Sequence, residues 1–185
     1  MALRTRTETK LLDAADELFF TRGIAATPID AVLERAGVSA ATLYRGYSSK
    51  DALVAAALDR RHAAWIETWD AAVAAQTTDE GRLLAIFDAL DVFRSQPAGS
   101  RWCAFLGSAA EYADAPPEVD AAIHRDSDSM RARLTDLAAS VDPARAAALA
   151  DQLMLVVTGD LAMRLRSPAH TSGVARGIAA ALVAG

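Results

Sequence analysis

The segment from Gly37 to Leu53, GVSAATLYRGYSSKDAL, constrains the fold more than any other part of the chain. It begins with a tight turn, continues with a short helix that Ser39 caps, and then opens a new helix with a second capping pair, Ser48 and Asp51. One face of the short helix is too polar to be fully buried. We therefore expect a short helix, over about residues 40–47, that stands on a small core of three helices.

The rest of the chain is also predicted to be helical. β-Branched residues are scattered, and alanine, leucine and arginine, which are strong helix formers, fill most positions between glycines and prolines. The pattern predicts an all-α fold of about nine helices. These cover approximately residues 7–22, 28–36, 40–47, 50–75, 82–95, 101–112, 118–140, 143–166 and 168–183.

Three of these helix starts are predicted from a capping residue that precedes a proline. The side-chain oxygen of the capping residue accepts a hydrogen bond from the first turn, and proline suits the first helical position. The three pairs are Thr27-Pro28, Asp142-Pro143 and Ser167-Pro168.

The short helix has two different faces. Leu43 and Tyr47 lie four residues apart and are predicted to pack on the core. Thr42 and Arg45 fall on the opposite face, where a helix of this size fits the major groove of DNA. Thr42 offers a hydroxyl and a methyl group to base edges, and Arg45 can bind guanine through two hydrogen bonds.

Other side chains nearby are placed for DNA phosphates. They are the hydroxyls of Thr27 and Tyr44, the Lys50 ammonium and the free amides at the start of the fourth helix. Taken singly, Tyr44 fits a half-buried helix tyrosine better and Arg45 a solvated arginine; their combination at helix-turn-helix spacing favours DNA. The predicted DNA-binding residues are Thr27, Ser39, Ala40, Ala41, Thr42, Tyr44, Arg45 and Lys50.

The net charge of −5 at first argues against nucleic acid, but the charge is unevenly distributed. Residues 1–60 carry eight basic and eight acidic residues, whereas residues 61–185 carry eleven basic and sixteen acidic ones. No acidic residue lies between Glu34 and Asp51, so the segment with the short helix is locally basic. Binding of this segment to DNA should therefore depend strongly on salt.

Residues 7–53 contain a series of short motifs whose positions relative to one another are distinctive over more than forty residues. They are Ala14-Ala15, Leu18-Phe19, Gly23, Thr27, Ile29, Val32, Ala36-Gly37-Val38-Ser39, Thr42-Leu43-Tyr44 and Ser49-Lys50-Asp51 with Leu53. With these motifs the segment resembles the N-terminal domain of the tetracycline-repressor (TetR) family of bacterial transcription regulators. The resemblance implies a homodimer whose recognition helices enter successive major grooves, and a C-terminal body that binds a small molecule. Gly46 and Ala41 depart from the family pattern, and Gly46 removes one expected phosphate contact.

Aromatic residues are spread over the fourth to seventh predicted helices. The resemblance implies that some of them line a ligand cavity with a few polar side chains. The alternative for each aromatic residue is an ordinary core position. The candidate ligand-binding residues are Trp65, Trp69, Phe87, Phe93, Trp102, Phe105, Glu111, Tyr112, His124 and Thr158.

The last two helices, from about residue 143 to residue 183, carry apolar stripes rich in small residues. Small residues let helices pack closely, so these stripes predict a four-helix dimer interface across a two-fold axis. The alternative is that the stripes are buried against their own chain. The stripe residues are Ala147, Ala150, Leu153, Met154 and Val157 on one helix, and Ala175, Ile178, Ala179 and Leu182 on the other.

We expect no catalytic, metal or cofactor site. The three histidines, His62, His124 and His170, lack the spacing of a metal site, and Cys103 has no evident base beside it. There is no glycine-rich phosphate loop. No uncharged apolar run of about 18 residues and no apolar leader occurs, so a cytoplasmic location without a membrane partner is expected.

These patterns predict a DNA-binding domain at residues 1–49 and a ligand-binding and dimerisation domain at residues 50–185. The favoured function is a ligand-responsive regulator, a repressor that a small molecule releases from operator DNA. One alternative is a helical small-molecule-binding protein or enzyme that keeps the helix-turn-helix only as scaffold. Another is a regulator controlled by a protein partner.

Overall fold

The computed structural model describes residues 5–96, 103–167 and 169–185, and within these ranges it contains nine α-helices and no strand. This confirms the all-α class predicted from the sequence. The helices are α1 (Thr5–Arg22), α2 (Ile29–Ala36), α3 (Ala40–Gly46), α4 (Lys50–Ala74), α5 (Asp79–Ser95), α6 (Ala104–Glu111), α7 (Pro117–Val141), α8 (Ala146–Arg166) and α9 (Gly173–Ala184).

The chain forms two compact units. The first, which we call the head unit, comprises residues 1–62 and 103–124; the second, the body unit, comprises residues 63–102 and 125–185. Helices α4 and α7 therefore each contribute residues to both units. By packing, the head unit extends beyond residue 49, because it includes the first half of α4, α6 and the start of α7. The functional division at residue 49 remains a prediction.

The core of the head unit is built by α1, α2, α3 and the start of α4. Leu11 on α1, Leu43 on α3 and Leu53 on α4 are completely buried, and α1 packs against α2. Phe105 of α6 joins the same cluster. The short α3 thus stands on a core that its neighbours supply, as its apolar face predicts.

Ion pairs fix α1 to α4 within the head unit. Arg61 lies 3.1 Å from the Asp16 carboxylate, and both side chains are almost fully buried. The Arg61 guanidinium also lies over the Phe20 ring, 5.4 Å from its centre. Arg60 pairs with Asp13 at 2.7 Å, but this second pair is exposed to water.

The body unit has an apolar core and one buried polar cluster. Trp69, Phe87 and Leu134 are among its fully buried side chains. The Asp160 carboxylate, which is completely buried, accepts hydrogen bonds from Arg164 at 3.1 Å, Ser172 at 3.0 Å and a His170 ring nitrogen at 2.7 Å. This cluster ties α8 to the segment that leads into α9.

Two predicted caps are wrong. The hydroxyl of Thr27 does not cap α2, because it donates to the Gly23 carbonyl at 2.7 Å; the residue before α2 is Pro28. At the start of α4 the capping side chain is Ser49 and not Ser48, since the Ser49 hydroxyl accepts a hydrogen bond from the Ala52 amide at 2.9 Å.

Two predicted helix starts lie too early in the sequence. Helix α8 begins at Ala146, because the Asp142 carboxylate accepts hydrogen bonds from the amides of Ala144 and Arg145 and holds a turn there. Helix α9 begins at Gly173, after the loop that carries His170. Pro168, which was predicted to open α9, lies outside the described residues.

Helix α8 is, among the described helices, long and apolar enough to cross a membrane by length and composition. It nevertheless carries the buried ion pair of Asp160 and Arg164, and one side of it is buried in the body unit. We interpret it as a helix of the body unit, with apolar side chains such as Leu155 on its exposed face.

Candidate nucleic-acid interface

The turn between α2 and α3 forms as the sequence predicts. Gly37 adopts φ +67° and ψ +39°, a left-handed conformation that glycine tolerates best. The Val38 amide donates to the Leu33 carbonyl at 3.1 Å, which closes the end of α2. Ser39 then caps α3, because its hydroxyl accepts a hydrogen bond from the Thr42 amide at 3.2 Å.

Helix α3 is anchored by its inner face. Leu43 is fully buried in the head unit, and Tyr47, which ends the helix, is buried beside it. The Tyr47 hydroxyl donates to a Glu8 carboxylate oxygen at 3.4 Å. Burial, and then Glu8, raises the pKa of Tyr47 to about 12, so the phenol stays neutral at physiological pH.

The outer face of α3 presents most of the predicted DNA-binding residues to solvent. Tyr44 is 53% exposed, Arg45 is exposed, and Thr42 is half-buried. Ser39, Ala40 and Ala41 at the start of the helix are exposed as well. The structure thus brings six of the eight predicted DNA-binding residues onto one solvent-facing surface, which we call the α3 face.

Thr27 and Lys50 are placed differently from the expectation. Thr27 is buried, and its hydroxyl serves the end of α1 through Gly23, so we leave it out of the proposed phosphate contacts. The Lys50 ammonium donates to the Ile24 carbonyl at 2.5 Å and lies 5.6 Å from the centre of the Phe19 ring. Its role at a phosphate stays a prediction, because the ammonium would have to share or leave this carbonyl.

The charge near the α3 face is arranged in favour of an anion. Arg35 on α2 is neutralised by Glu17 at 2.6 Å. Arg45, by contrast, makes no ion pair with any residue that the structure describes. An exposed guanidinium without an ion-pair partner among the described residues is suited to a phosphate or to the edge of guanine.

A cleft that sequence reasoning missed lies beside the start of α4. It has a volume of about 160 Å³. The Glu111 carboxylate accepts a hydrogen bond from the Ala25 amide at 2.8 Å, and the Tyr112 hydroxyl donates to Asp51 at 2.7 Å. Burial, and then the hydrogen bond to Asp51, raises the pKa of Tyr112. The end of α6 is thereby fastened to the loop between α1 and α2. The cleft is lined by Ile24, Ala25, Lys50, Asp51, Glu111 and Tyr112.

The predicted ligand-binding residues are divided between the two units. Within the body unit, Trp65 packs 5.5 Å from Trp69 and 5.7 Å from Phe93, measured between ring centres. Arg133 covers the Trp69 ring at 4.8 Å. Phe87, which precedes Phe93 on α5, is a buried core residue of the same unit. These aromatic side chains form a packed cluster, and whether it also binds a ligand stays a prediction.

The other candidate ligand-binding residues lie elsewhere. Phe105, Glu111 and Tyr112 belong to the head unit, where they pack on its core or line the cleft. His124 is exposed and faces Asp120 at 3.2 Å, and Thr158 is exposed on α8. Trp102 lies outside the described residues.

Comparison with known proteins agrees with this geometry. Residues 11–57 match the family model described as bacterial regulatory proteins, tetR family. No curated protein matches the chain. Among solved structures, a TetR-family transcriptional regulator from Streptomyces coelicolor is 27% identical, with a TM-score of 0.83 over 98% of this chain and 94% of that chain.

Two further solved structures show the same fold at lower identity. A TetR transcriptional regulator from Chloroflexus aurantiacus is 22% identical, with a TM-score of 0.76 over 96% of this chain and 92% of that one. A TetR-family regulator from Cytophaga hutchinsonii is 18% identical, with a TM-score of 0.83 over 97% and 94% of the two chains.

Proposed function

This chain is a TetR-family transcriptional regulator, and we propose that it is a cytoplasmic repressor that leaves its operator DNA when a small molecule binds. The observation that supports this proposal best is the α3 face. It combines an exposed Arg45 without an acidic partner among the described residues, a half-exposed Thr42 and small residues at the helix start. Small residues let the backbone approach the groove, and the two longer side chains reach base edges.

The experiment that tests DNA binding uses the purified full-length protein and the DNA upstream of its own coding sequence. Fluorescence anisotropy at two salt concentrations should show a specific complex that outcompetes scrambled DNA of the same length. Affinity should fall steeply with salt, because phosphates release counterions when basic side chains neutralise them. No preference over scrambled DNA at moderate salt would favour a helical small-molecule-binding protein that keeps the helix-turn-helix as scaffold.

We place effector binding in the body unit, at the cluster of Trp65, Trp69 and Phe93. The Trp69 indole nitrogen is buried and has no hydrogen-bond acceptor among the described residues. A buried donor without an acceptor costs about 1–3 kcal/mol, which a ligand oxygen would offset. An effector that enters here would have to part these rings and would thereby shift the body half of α4.

Screening a compound library by thermal shift and by tryptophan fluorescence tests effector binding. A true effector should raise the melting temperature of the wild type and lower its operator affinity, since the two binding events are linked. Trp69→Phe keeps an aromatic ring, although a smaller one, and removes the N–H donor, so it should weaken binding of that compound. Unchanged binding to Trp69→Phe would move the site away from this cluster.

We also propose that the chain acts as a homodimer through α8 and α9, by a face that shares Ile178 with the stripes predicted from the sequence but leaves out their buried residues. Ala150, Leu153 and Val157 are fully buried in their own body unit, as Ala179 is. The apolar side chains left exposed lie on the other sides of the two helices. They are Leu155, Met163 and Leu165 on α8, and Val174 and Ile178 on α9.

A further inference from the structure

Two neighbouring side chains of the body unit each bury a hydrogen-bond donor that has no acceptor among the described residues. The donors are the indole N–H of Trp69 on α4 and the Nε–H of Arg133 on α7. The guanidinium carbon of Arg133 lies 4.8 Å from the centre of the Trp69 ring. Because buried donors are normally paired, two of them on touching side chains indicate a place for an acceptor that comes from outside the chain.

The contact between Trp69 and Arg133 leaves both donors available. A cation over an aromatic ring interacts with the face of the ring, whereas the indole N–H points outward in the plane of the ring. Arg133 also donates to the Asp70 carboxylate, but it does so through the terminal nitrogen Nη2 and not through Nε. A ligand group that carries two oxygens therefore suits the two donors.

The charge of this pair of side chains favours an anion. The indole N–H and the guanidinium only donate hydrogen bonds, and the guanidinium is always positive. Its ion-pair partner Asp70 is 58% exposed, so water screens much of that negative charge. A planar carboxylate matches the guanidinium and makes stronger, charge-assisted hydrogen bonds, whereas an amine would meet a like charge.

We infer that the effector is a carboxylic acid with an aromatic body, held as the carboxylate by Arg133 and by the indole N–H of Trp69. The inference rests on the effector site proposed above and names the chemistry of its ligand. The rings of Trp65, 5.5 Å from Trp69 between ring centres, and of Phe93 beyond it supply an apolar surface for the aromatic body.

The test compares acids with amides and amines of the same shape. The first set of probes is 2-naphthoate, 2-naphthamide and 2-naphthylmethylamine, and the second is benzoate, benzamide and benzylamine. Each is titrated at pH 7 into the full-length protein labelled with nitrogen-15, and the indole N–H resonance of Trp69 is followed by NMR. Its absence from Trp69→Phe assigns that resonance.

In the wild type, the acid of at least one set should shift the Trp69 resonance and bind about tenfold more tightly than its amide. This is the difference between a charged and a neutral acceptor, about 1.4 kcal/mol. The amine should bind most weakly. Because the readout is the indole N–H itself, it reports the site as well as the affinity.

Three variants assign the preference to Arg133. Arg133→Gln removes the charge and should bring the affinities for acid and amide close together. Asp70→Asn removes the competing carboxylate and should strengthen acid binding about two- to fivefold, a gain that loss of folding cannot produce. Arg131→Gln, which breaks an exposed ion pair with Asp151 on the same helix α7, is the matched control and should keep the wild-type ratio.

Three results would overturn the inference: an amide that bound as tightly as its acid, an Arg133→Gln variant that kept the wild-type ratio, or two acids that both left the Trp69 resonance unchanged. Operator binding measured with the same probes separates the inference from the proposed repressor function. An acid that bound at Trp69 without lowering operator affinity would support the ligand chemistry and contradict release from DNA. A compound that lowered operator affinity without shifting the Trp69 resonance would support release and overturn this site.

Discussion

At the scale of single residues, the adjacent arginines Arg60 and Arg61 have very different surroundings. Arg61 is buried against Asp16 and the Phe20 ring, whereas Arg60 pairs with Asp13 in water. We expect Arg61→Met to lower the free energy of unfolding by about 3–5 kcal/mol, because it leaves a buried carboxylate without its partner. Arg60→Met should change it by about 1 kcal/mol or less, because exposed ion pairs contribute little. Urea denaturation of both variants measures the difference, and equal effects would contradict the role of burial.

The ion pair of Arg61 and Asp16 also predicts that the effect of Arg61→Met on stability depends on pH. Burial raises the pKa of Asp16 above its ordinary value, and Arg61 acts against this rise. Without Arg61 the pKa of Asp16 should rise further. Because the folded state then binds a proton more readily than the unfolded state, the destabilisation of Arg61→Met is largest at neutral pH and shrinks as pH falls through the folded-state pKa. Urea denaturation at pH 7 and at about pH 5 should show this smaller gap, and a gap that stays constant would assign the loss to packing.

Arg45 is the residue with which base discrimination is most easily tested. Arg45→Ala should lose about 1–3 kcal/mol of discrimination at one base pair, because a guanine would lose its two hydrogen bonds. Arg35→Ala is the control, since Arg35 is exposed but already paired with Glu17. It should change affinity for all sequences alike. Binding of both variants to a set of single-base operator changes separates these outcomes, and an unchanged preference in Arg45→Ala would remove Arg45 from the base readers.

At the scale of helices, local pattern predicted what local contacts determine. The buried face of α3 follows from the spacing of Leu43 and Tyr47. The cap at Ser39 follows from a hydrogen bond between residues three apart in sequence. The sequence did not predict that the polar atoms of Thr27 and Lys50 donate to the carbonyls of Gly23 and Ile24. Nothing in the spacing of residues shows which backbone carbonyl is left open at the end of a neighbouring helix.

The contacts that the end of α6 makes with the rest of the head unit show the same limit over a longer distance in sequence. Glu111 and Ala25 are 86 residues apart in sequence, and Tyr112 and Asp51 are 61 apart. The sequence suggested Glu111 and Tyr112 only as polar members of a ligand cavity. Their hydrogen-bond partners are set by the tertiary fold, which brings the end of α6 to the loop before α2, and periodicity carries no information about such a pairing.

The hydrogen bond between Glu111 and the Ala25 amide leads to a prediction for the loop between α1 and α2. Glu111→Ala should leave the Ala25 amide without its acceptor, so hydrogen exchange at Ala25 should become faster while exchange in the buried part of α1 stays unchanged. Glu67→Ala, an exposed change in the middle of α4, is the control and should affect neither. Exchange measured residue by residue by NMR compares the two variants. Equal exchange at Ala25 in wild type and Glu111→Ala would show that the carboxylate does not hold this loop.

At the scale of the whole molecule, the exposed apolar side chains of α8 and α9 are the feature that a single chain leaves unexplained. Leu155 is 75% exposed, Val174 is 71% exposed and Ile178 is 51% exposed. Apolar side chains concentrated on two packed helices are typical of a surface that another molecule covers. A second copy fits best, because the family resemblance implies two recognition helices that must reach half-sites about 34 Å apart.

The proposed dimer can be broken without touching the head unit. Leu155→Glu and Ile178→Glu should each give a monomer in light scattering, because a carboxylate buried in a two-fold interface faces its own copy. The monomers should keep the helical content of the wild type and lose about 100-fold or more in operator affinity, since the second half-site no longer binds within the same molecule. Leu106→Glu, an exposed leucine on α6, is the control and should remain dimeric. If the variants of α8 and α9 stayed dimeric and bound operator like the wild type, the interface would lie elsewhere. If they were monomers that still bound with full affinity, dimerisation and DNA binding would be independent.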